Sequence, residues 1–215
     1  QYEYGEMFAR YANEYDAVVQ ITIGANFSCC YQNACAAAQE YENVFVVDSE
    51  NLSTGQGLLV VAAAKLAEQG LSGAEIAERV RALAPKVEAS FLIECLDYMR
   101  KGGRCSAVAA LGANLLHLKP CIEVRNGKMA VCKKYRGSFE KCIRQYVKER
   151  LDGREDIAPE LAFITHAAAD ANVVAAAKEE AAQYGSFETV EETQAGCTVS
   201  CHCGPNTLGI LFVRK

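Results

Sequence analysis

The chain has 215 residues, of which 51% are hydrophobic and 23% charged. That make-up describes one or two globular domains and excludes a disordered, fibrous or collagen-like protein. With 22 Lys and Arg against 27 Asp and Glu the formal net charge is −5, and the basic residues are scattered, so no nucleic-acid partner is expected.

The longest apolar run, Leu58 to Ala64, is far short of the roughly 20 residues that span a bilayer, and no apolar N-terminal core marks a signal peptide. No stable membrane insertion is expected. The eleven cysteines sit within apolar or helical patterns in a chain long enough to bury a core. They read as buried free thiols in a reducing cytoplasm rather than as a disulfide scaffold.

Glu3 to Glu14 has helical composition, and Tyr15 to Ile23 is a β-branched run of strand length followed by the turn Gly24 to Phe27. Ser28 stands where a helix N-cap belongs, with the helix running to about Tyr41. Asn43 to Val47 is a second apolar run ending in Asp48-Ser49. Strand, helix and strand make a βαβ unit, and so a parallel sheet. Two helices follow, Gly57 to Gln69 and Ser72 to Leu83, the second opened by a Ser72-to-Glu75 capping box. Pro85 marks the end of an N-terminal α/β domain, residues 1–85.

Residues 86–215 form a second α/β domain with a mixed sheet. Ala89 to Ile93 reads as a strand, Leu96 to Arg100 as a short helix, Lys101 to Arg104 as a turn and Ser106 to Leu116 as a small-residue helix. Leu118 to Val124 and Lys128 to Tyr135 flank Asn126-Gly127, a strong hairpin signal. A helix from Gly137 to about Leu151 follows, then a strand at Leu161 to His166 and a helix at Asp170 to Tyr184. Strands at Ser186 to Glu192 and Thr207 to Val213 complete the chain.

Three places can carry chemistry. Gly24 to Gln32 is a strand-to-helix turn at the carboxyl end of a parallel strand, where open α/β sheets hold ligands. There Ser28 either serves as a plain cap or joins the helix amides in holding an anion. Ser200 to Pro205 reads as a polar loop. Its Cys201-His202-Cys203 lacks the second ligand pair of a zinc site, so no metal is expected. His202 can donate to an acidic ligand, accept a phosphate or sit in the core. Lys133 to Gly137 ends a strand, and Arg136 offers either a carboxylate clamp or a solvated basic edge. Gly-x-Gly-x-x-Gly, P-loop and Gly-x-Ser-x-Gly signatures are absent.

These residues also resemble those of the DegV family of bacterial fatty-acid-binding proteins. Ser28 to Ala34 is similar to the family's S-G-T-Y-Q-S-A, and Val47-Asp48-Ser49 is followed by Gly55-Gln56-Gly57. Leu96 to Ser106 is similar to L-x-Y-L-x-x-G-G-R-I-S, then come Leu118-Lys119-Pro120 and Arg136-Gly137. His202 to Gly209 is similar to H-x-G-P-G-T-L-G. The resemblance implies a DegV (EDD-like) fold of two domains holding one long-chain fatty acid between them, its carboxylate buried. It implies no catalysis and no cofactor. A separate fatty acid kinase would make the acyl phosphate that feeds phospholipid synthesis.

By motif match Ser28 and His202 bind the carboxylate, and Arg136 lies near the head-group end. Where the family has Gly-Thr after the serine, this chain has Cys29-Cys30. The resemblance also implies a shortfall of roughly 60 residues before Gln1, about half a small domain, which would leave the N-terminal parallel sheet incomplete. Candidate lining for the acyl chain is Phe27 and the helix from Ala107 to Leu116. The alternative is a phosphocarrier or hydroxyketone-binding protein related to dihydroxyacetone kinase, with His202 or His166 reactive and exposed.

Overall fold

The computed structural model describes residues 1–103 and 118–215, so the helix expected at Ser106 to Leu116 lies outside the described residues. The chain divides into two compact units. One comprises Gln1–Val87 with Asn126–Lys128, the other Glu88–Arg125 with Met129–Lys215.

In the first unit β1 (Val18–Thr22) and β2 (Val44–Asp48) run parallel, Val18 opposite Val44 and Thr22 opposite Asp48. Side chains alternate across the pair. Val18, Val44 and Val46 face α1 (Tyr2–Glu14) and α2 (Cys30–Ala38) in one core around Phe8. On α1 the core-facing residues are Tyr4, Met7, Phe8 and Ala12, the spacing of one helical stripe. Further apolar residues are buried by α3 (Ser53–Glu68) and α4 (Gly73–Leu83), among them Leu58, Leu59, Ile76, Ala77 and Val80.

The expected capping box is present: Ser72 Oγ accepts from the Glu75 amide at 3.4 Å, and the Ser72 amide donates to Glu75 Oε2 at 2.9 Å. Two helix bounds differ from the sequence reading. Helix α2 ends at Ala38 rather than near Tyr41, and α3 begins at Ser53 rather than Gly57.

The second unit is built on a mixed six-stranded sheet in the order β5-β4-β3-β8-β6-β7. The strands are β3 (Val87–Leu92), β4 (Leu118–Arg125), β5 (Lys128–Arg136), β6 (Ile157–Ala167), β7 (Val190–Gln194) and β8 (Thr207–Arg214). Antiparallel pairing joins β3 to β4 and β6 to β8, whereas β6 and β7 are parallel. Asn126 and Gly127 turn the β4–β5 hairpin with φ of 51° and 68°, the doubly left-handed geometry that tight hairpins need.

Side-chain alternation makes two cores. Leu92, Cys121, Tyr135, Ile164, Ile210 and Phe212 pack under α6 (Phe139–Leu151) and α7 (Ala171–Tyr184). Phe91, Ile93 and Ile122 face the other way, with Met99 of α5 (Asp97–Lys101) and Cys203 of α8 (Cys197–Cys203). Strand β7 starts at Val190 rather than Ser186, and β6 extends from Ile157 with a register shift between Ile157 and Ala162. Pro159 lies in that interval, and a residue without an amide donor is tolerated at such an irregularity.

Candidate functional site

Ser28 lies in the first unit, half-buried just ahead of α2. The N-cap position belongs to Cys29, not to Ser28 as the sequence suggested. One residue earlier, Ser28 Oγ still accepts from the Cys30 amide at 3.3 Å and donates to Cys30 Sγ at 3.1 Å. A thiol sulfur is a weak acceptor. The first turn of α2 carries no acidic side chain, so its positive dipole end has no carboxylate of its own beside it.

The loop holding Ser28 is fastened to the loop after β2. Asp48 Oδ1 accepts from the Ala25 amide at 3.1 Å and from the Glu50 amide at 2.9 Å, and the Gly24 amide donates to Asn51 O at 2.8 Å. Beneath them Ser49 and Asn51 are buried and bond to each other, Ser49 Oγ to Asn51 O at 3.0 Å. A β-carbon on Gly55 would fall 2.0 Å from Asn51 Oδ1, so only glycine lets α3 approach this loop. Gln56 Nε2 donates to Ile21 O at 3.0 Å. The Asp48, Ser49, Gly55 and Gln56 motif residues therefore build the floor under the turn, a role that the sequence reading left without a mechanism.

His202 lies in the second unit, on the short helix α8 and not in a loop. Its Nδ1 is 2.7 Å from Thr198 O. A carbonyl only accepts, so Nδ1 carries the hydrogen and Nε2 is the bare nitrogen of the neutral ring. Helices α5 and α8 approach closely through two glycines. A β-carbon on Gly102 would meet the His202 ring at 2.8 Å, and one on Gly204, at φ of 79°, would meet the Tyr98 ring at 2.4 Å. Behind the helix, Asn206 bridges Glu94 Oε2 and the Asp170 amide at 2.9 Å each.

Arg136 is the exposed last residue of β5, and among the described residues no carboxylate pairs with it. Its neighbour Lys133 is committed to Glu149 at 2.7 Å. His166 is buried in β6, where Nδ1 accepts from the Ala169 amide at 3.2 Å and Nε2 lies 3.3 Å from Glu192 Oε1. Among the described residues no group of His, Cys, Asp and Glu could hold a metal ion, and no helix is long and apolar enough to cross a membrane.

A family model described as uncharacterised protein, DegV family, matches residues 1–215. It runs the length of the chain and lends no support to the shortfall expected before Gln1. The chain is 32% identical to a DegV domain-containing protein of Clostridium acetobutylicum, over 99% of this chain and 75% of that protein. It is similar to the solved structure described as fatty acid binding of a DegV family protein from Thermus thermophilus, with a TM-score of 0.86 and 27% identity over 99% of this chain and 76% of that one. It is similar as well to DegV, a fatty acid binding protein from Bacillus subtilis, with a TM-score of 0.80 and 25% identity over the same 99% and 76%. Both are described as binding fatty acids and neither as an enzyme. On a match that spans all 215 residues and a shared α/β architecture, the chain belongs to the DegV family.

Proposed function

We propose that this protein binds one long-chain fatty acid through its carboxylate and presents it to a fatty acid kinase, without catalysis of its own. Ser28 and His202 are the carboxylate donors, and Arg136 attends the head-group end that the kinase meets. The observation that carries the reading is Ser28 at the opening of α2. Its hydroxyl is spent on a thiol sulfur, and no acidic residue occupies the first turn.

A carboxylate taken out of water needs several good donors, and charge-assisted bonds are the strong ones. It outcompetes the Cys30 sulfur for the Ser28 hydroxyl. His202 contributes through Nε2 once the ring carries a second proton, because Nδ1 is held by Thr198. The acyl chain adds about 0.8 kcal/mol for each methylene removed from water. The phosphocarrier alternative narrows to His202, since it needs an exposed reactive histidine and His166 is buried with both ring nitrogens engaged.

Native mass spectrometry before and after denaturing extraction tests the proposal. A stoichiometric species of fatty-acid mass that is lost in Ser28→Ala or His202→Ala is the expected result. No lipid after incubation with mixed fatty acids would refute it. For the kinase step, an acyl phosphate should form from ATP only when the loaded carrier is present, and Arg136→Ala should slow that step while leaving lipid retention intact.

A further inference from the structure

The β4–β5 hairpin brings two thiols together on the α6 side of the mixed sheet. Counted outward from the Asn126-Gly127 turn, Cys121 and Cys132 stand opposite one another. Residues so paired in an antiparallel ladder have α-carbons ~4.5–5.5 Å apart, inside the ~4.4–6.8 Å span that a disulfide accepts. Met129 and Val131 face the α5 side, whereas Tyr135 faces α6. The alternation of β5 therefore slips by one residue beyond Cys132, and the pairing of the two cysteines lies on the regular side of that slip.

The two thiols differ in exposure and in partners. Cys121 is fully buried and Cys132 is exposed. Arg150 of α6 reaches both: its Nη2 lies 3.0 Å from Cys132 Sγ and 3.6 Å from Cys121 Sγ. The acidic groups facing the same guanidinium are Glu123 at 3.3 Å and Glu88 at 3.5 Å.

The hydrogen bond from Cys121, aided by the charge of Arg150, brings the Cys132 thiol down to about 7 against the opposing effects of burial and Glu123. The same hydrogen bond drives the Cys121 thiol upward. Cys132 Sγ also lies 3.5 Å from Cys121 O. The exposed sulfur is thus the one biased toward the thiolate and its buried neighbour the one biased toward the thiol, the two halves of a thiol pair that oxidises in sequence. None of this draws on the fatty-acid site.

We propose that Cys132 and Cys121 are a peroxide-oxidised thiol pair, Cys132 attacking and Cys121 resolving. The Cys132 thiolate attacks the O–O bond of a hydroperoxide. One oxygen stays on sulfur as the sulfenic acid, and the other leaves, takes a proton and departs as water or an alcohol. Cys121 then attacks the Cys132 sulfur, and its proton leaves with the displaced hydroxyl as water. In sum two thiols are oxidised by two electrons to one disulfide, the hydroperoxide is reduced, and a thiol reductant reverses the change.

The test treats the full chain at about pH 7 with one equivalent of hydrogen peroxide and maps the products by mass spectrometry. Against the buried thiols that the sequence suggested, Cys29, Cys95, Cys197 and Cys201 are exposed as Cys132 is, and these four act as internal controls. The Cys121–Cys132 link should appear at least about tenfold faster than oxidation at those four, since among exposed thiols thiolate character sets the rate. Dithiothreitol should then remove it. In Cys121→Ala the reaction should stop at a sulfenic acid that a dimedone probe captures at Cys132. A measurement free of variants is the pH profile of iodoacetamide alkylation at Cys132, which should rise near 7. Oxidation or alkylation that follows exposure alone, or links formed faster between other cysteines, would overturn the proposal.

Discussion

Gly102 of the α5 turn lies against the imidazole of His202, so closely that a β-carbon at 102 would come within 2.8 Å of Cδ2 and 3.3 Å of Cγ. The ring is held from the other side by Thr198 O at 2.7 Å. Gly102→Ala therefore forces the imidazole off its hydrogen bond, and fatty-acid retention should fall well beyond any change in melting temperature. Gly103→Ala is the control. Nothing approaches within 4 Å of that position, which has φ of 70°, so its cost is backbone strain of about 1 kcal/mol with retention unchanged. Equal loss of retention in both variants would argue against a positioning role for Gly102.

The two glycines of the Gly55-Gln56-Gly57 motif should respond in opposite senses. A methyl group at 55 would overlap Asn51 Oδ1, the acceptor of the Leu52 amide at 3.0 Å. Gly55→Ala should destabilise the protein by about 1–3 kcal/mol. At Gly57 the nearest atom is 3.8 Å away and the helix continues through it, so Gly57→Ala should stabilise by about 0.5–1 kcal/mol. Urea midpoints of the two variants decide the matter.

The chain should lose stability in alkali more steeply than its surface charge requires. Burial raises the Tyr146 phenol well above the ordinary range, and burial with the hydrogen bond to Glu149 raises that of Tyr135. The unfolded chain gives up these protons from about pH 10, and the folded chain keeps them. Their contribution is therefore complete below about pH 10 and is lost as pH climbs beyond it. Tyr146→Phe should reduce that slope. It should also cost about 1–3 kcal/mol at neutral pH, because its hydroxyl donates to Ser90 O at 2.6 Å and accepts from the Ile210 amide at 3.1 Å. Denaturation midpoints at about pH 8 and about pH 11 test both statements.

At the start of α4 the capping box should be worth about 0.5–2 kcal/mol. Ser72→Ala should lose that amount at neutral pH. The hydrogen bonds from Ser72 hold the Glu75 carboxyl below its usual range, so the benefit is present above the unfolded carboxyl's titration and fades as pH falls through the lower folded value. A loss that persists unchanged in acid would count against the box.

Local rules made that box and the Asn126-Gly127 hairpin legible before any coordinates, because each depends on residues a few positions apart. Helix α8 was not legible: Cys197, Thr198, Val199 and Cys201 are poor helix formers, and tertiary contacts of Val199 and Cys203 hold the segment. Ser28 was off by one position, since Cys29 holds the place just before the helix while the serine oxygen reaches the amide at Cys30. The order of the six-stranded sheet and the meeting of Gly102 with His202 join residues far apart in the chain, and no periodicity encodes them. The helix from Ala107 to Leu116, expected to line the acyl chain, lies outside the described residues.

One oxygen of Asp48 fastens two loops, through the amides of Ala25 and Glu50. In hydrogen-exchange terms both amides should lose protection whenever that carboxylate is displaced. The turn that carries Ser28 is thus anchored by a carboxylate at the end of the neighbouring strand. Asp48→Asn, which touches no proposed ligand atom, should quicken exchange at both amides at once and, with it, the release of whatever that turn holds.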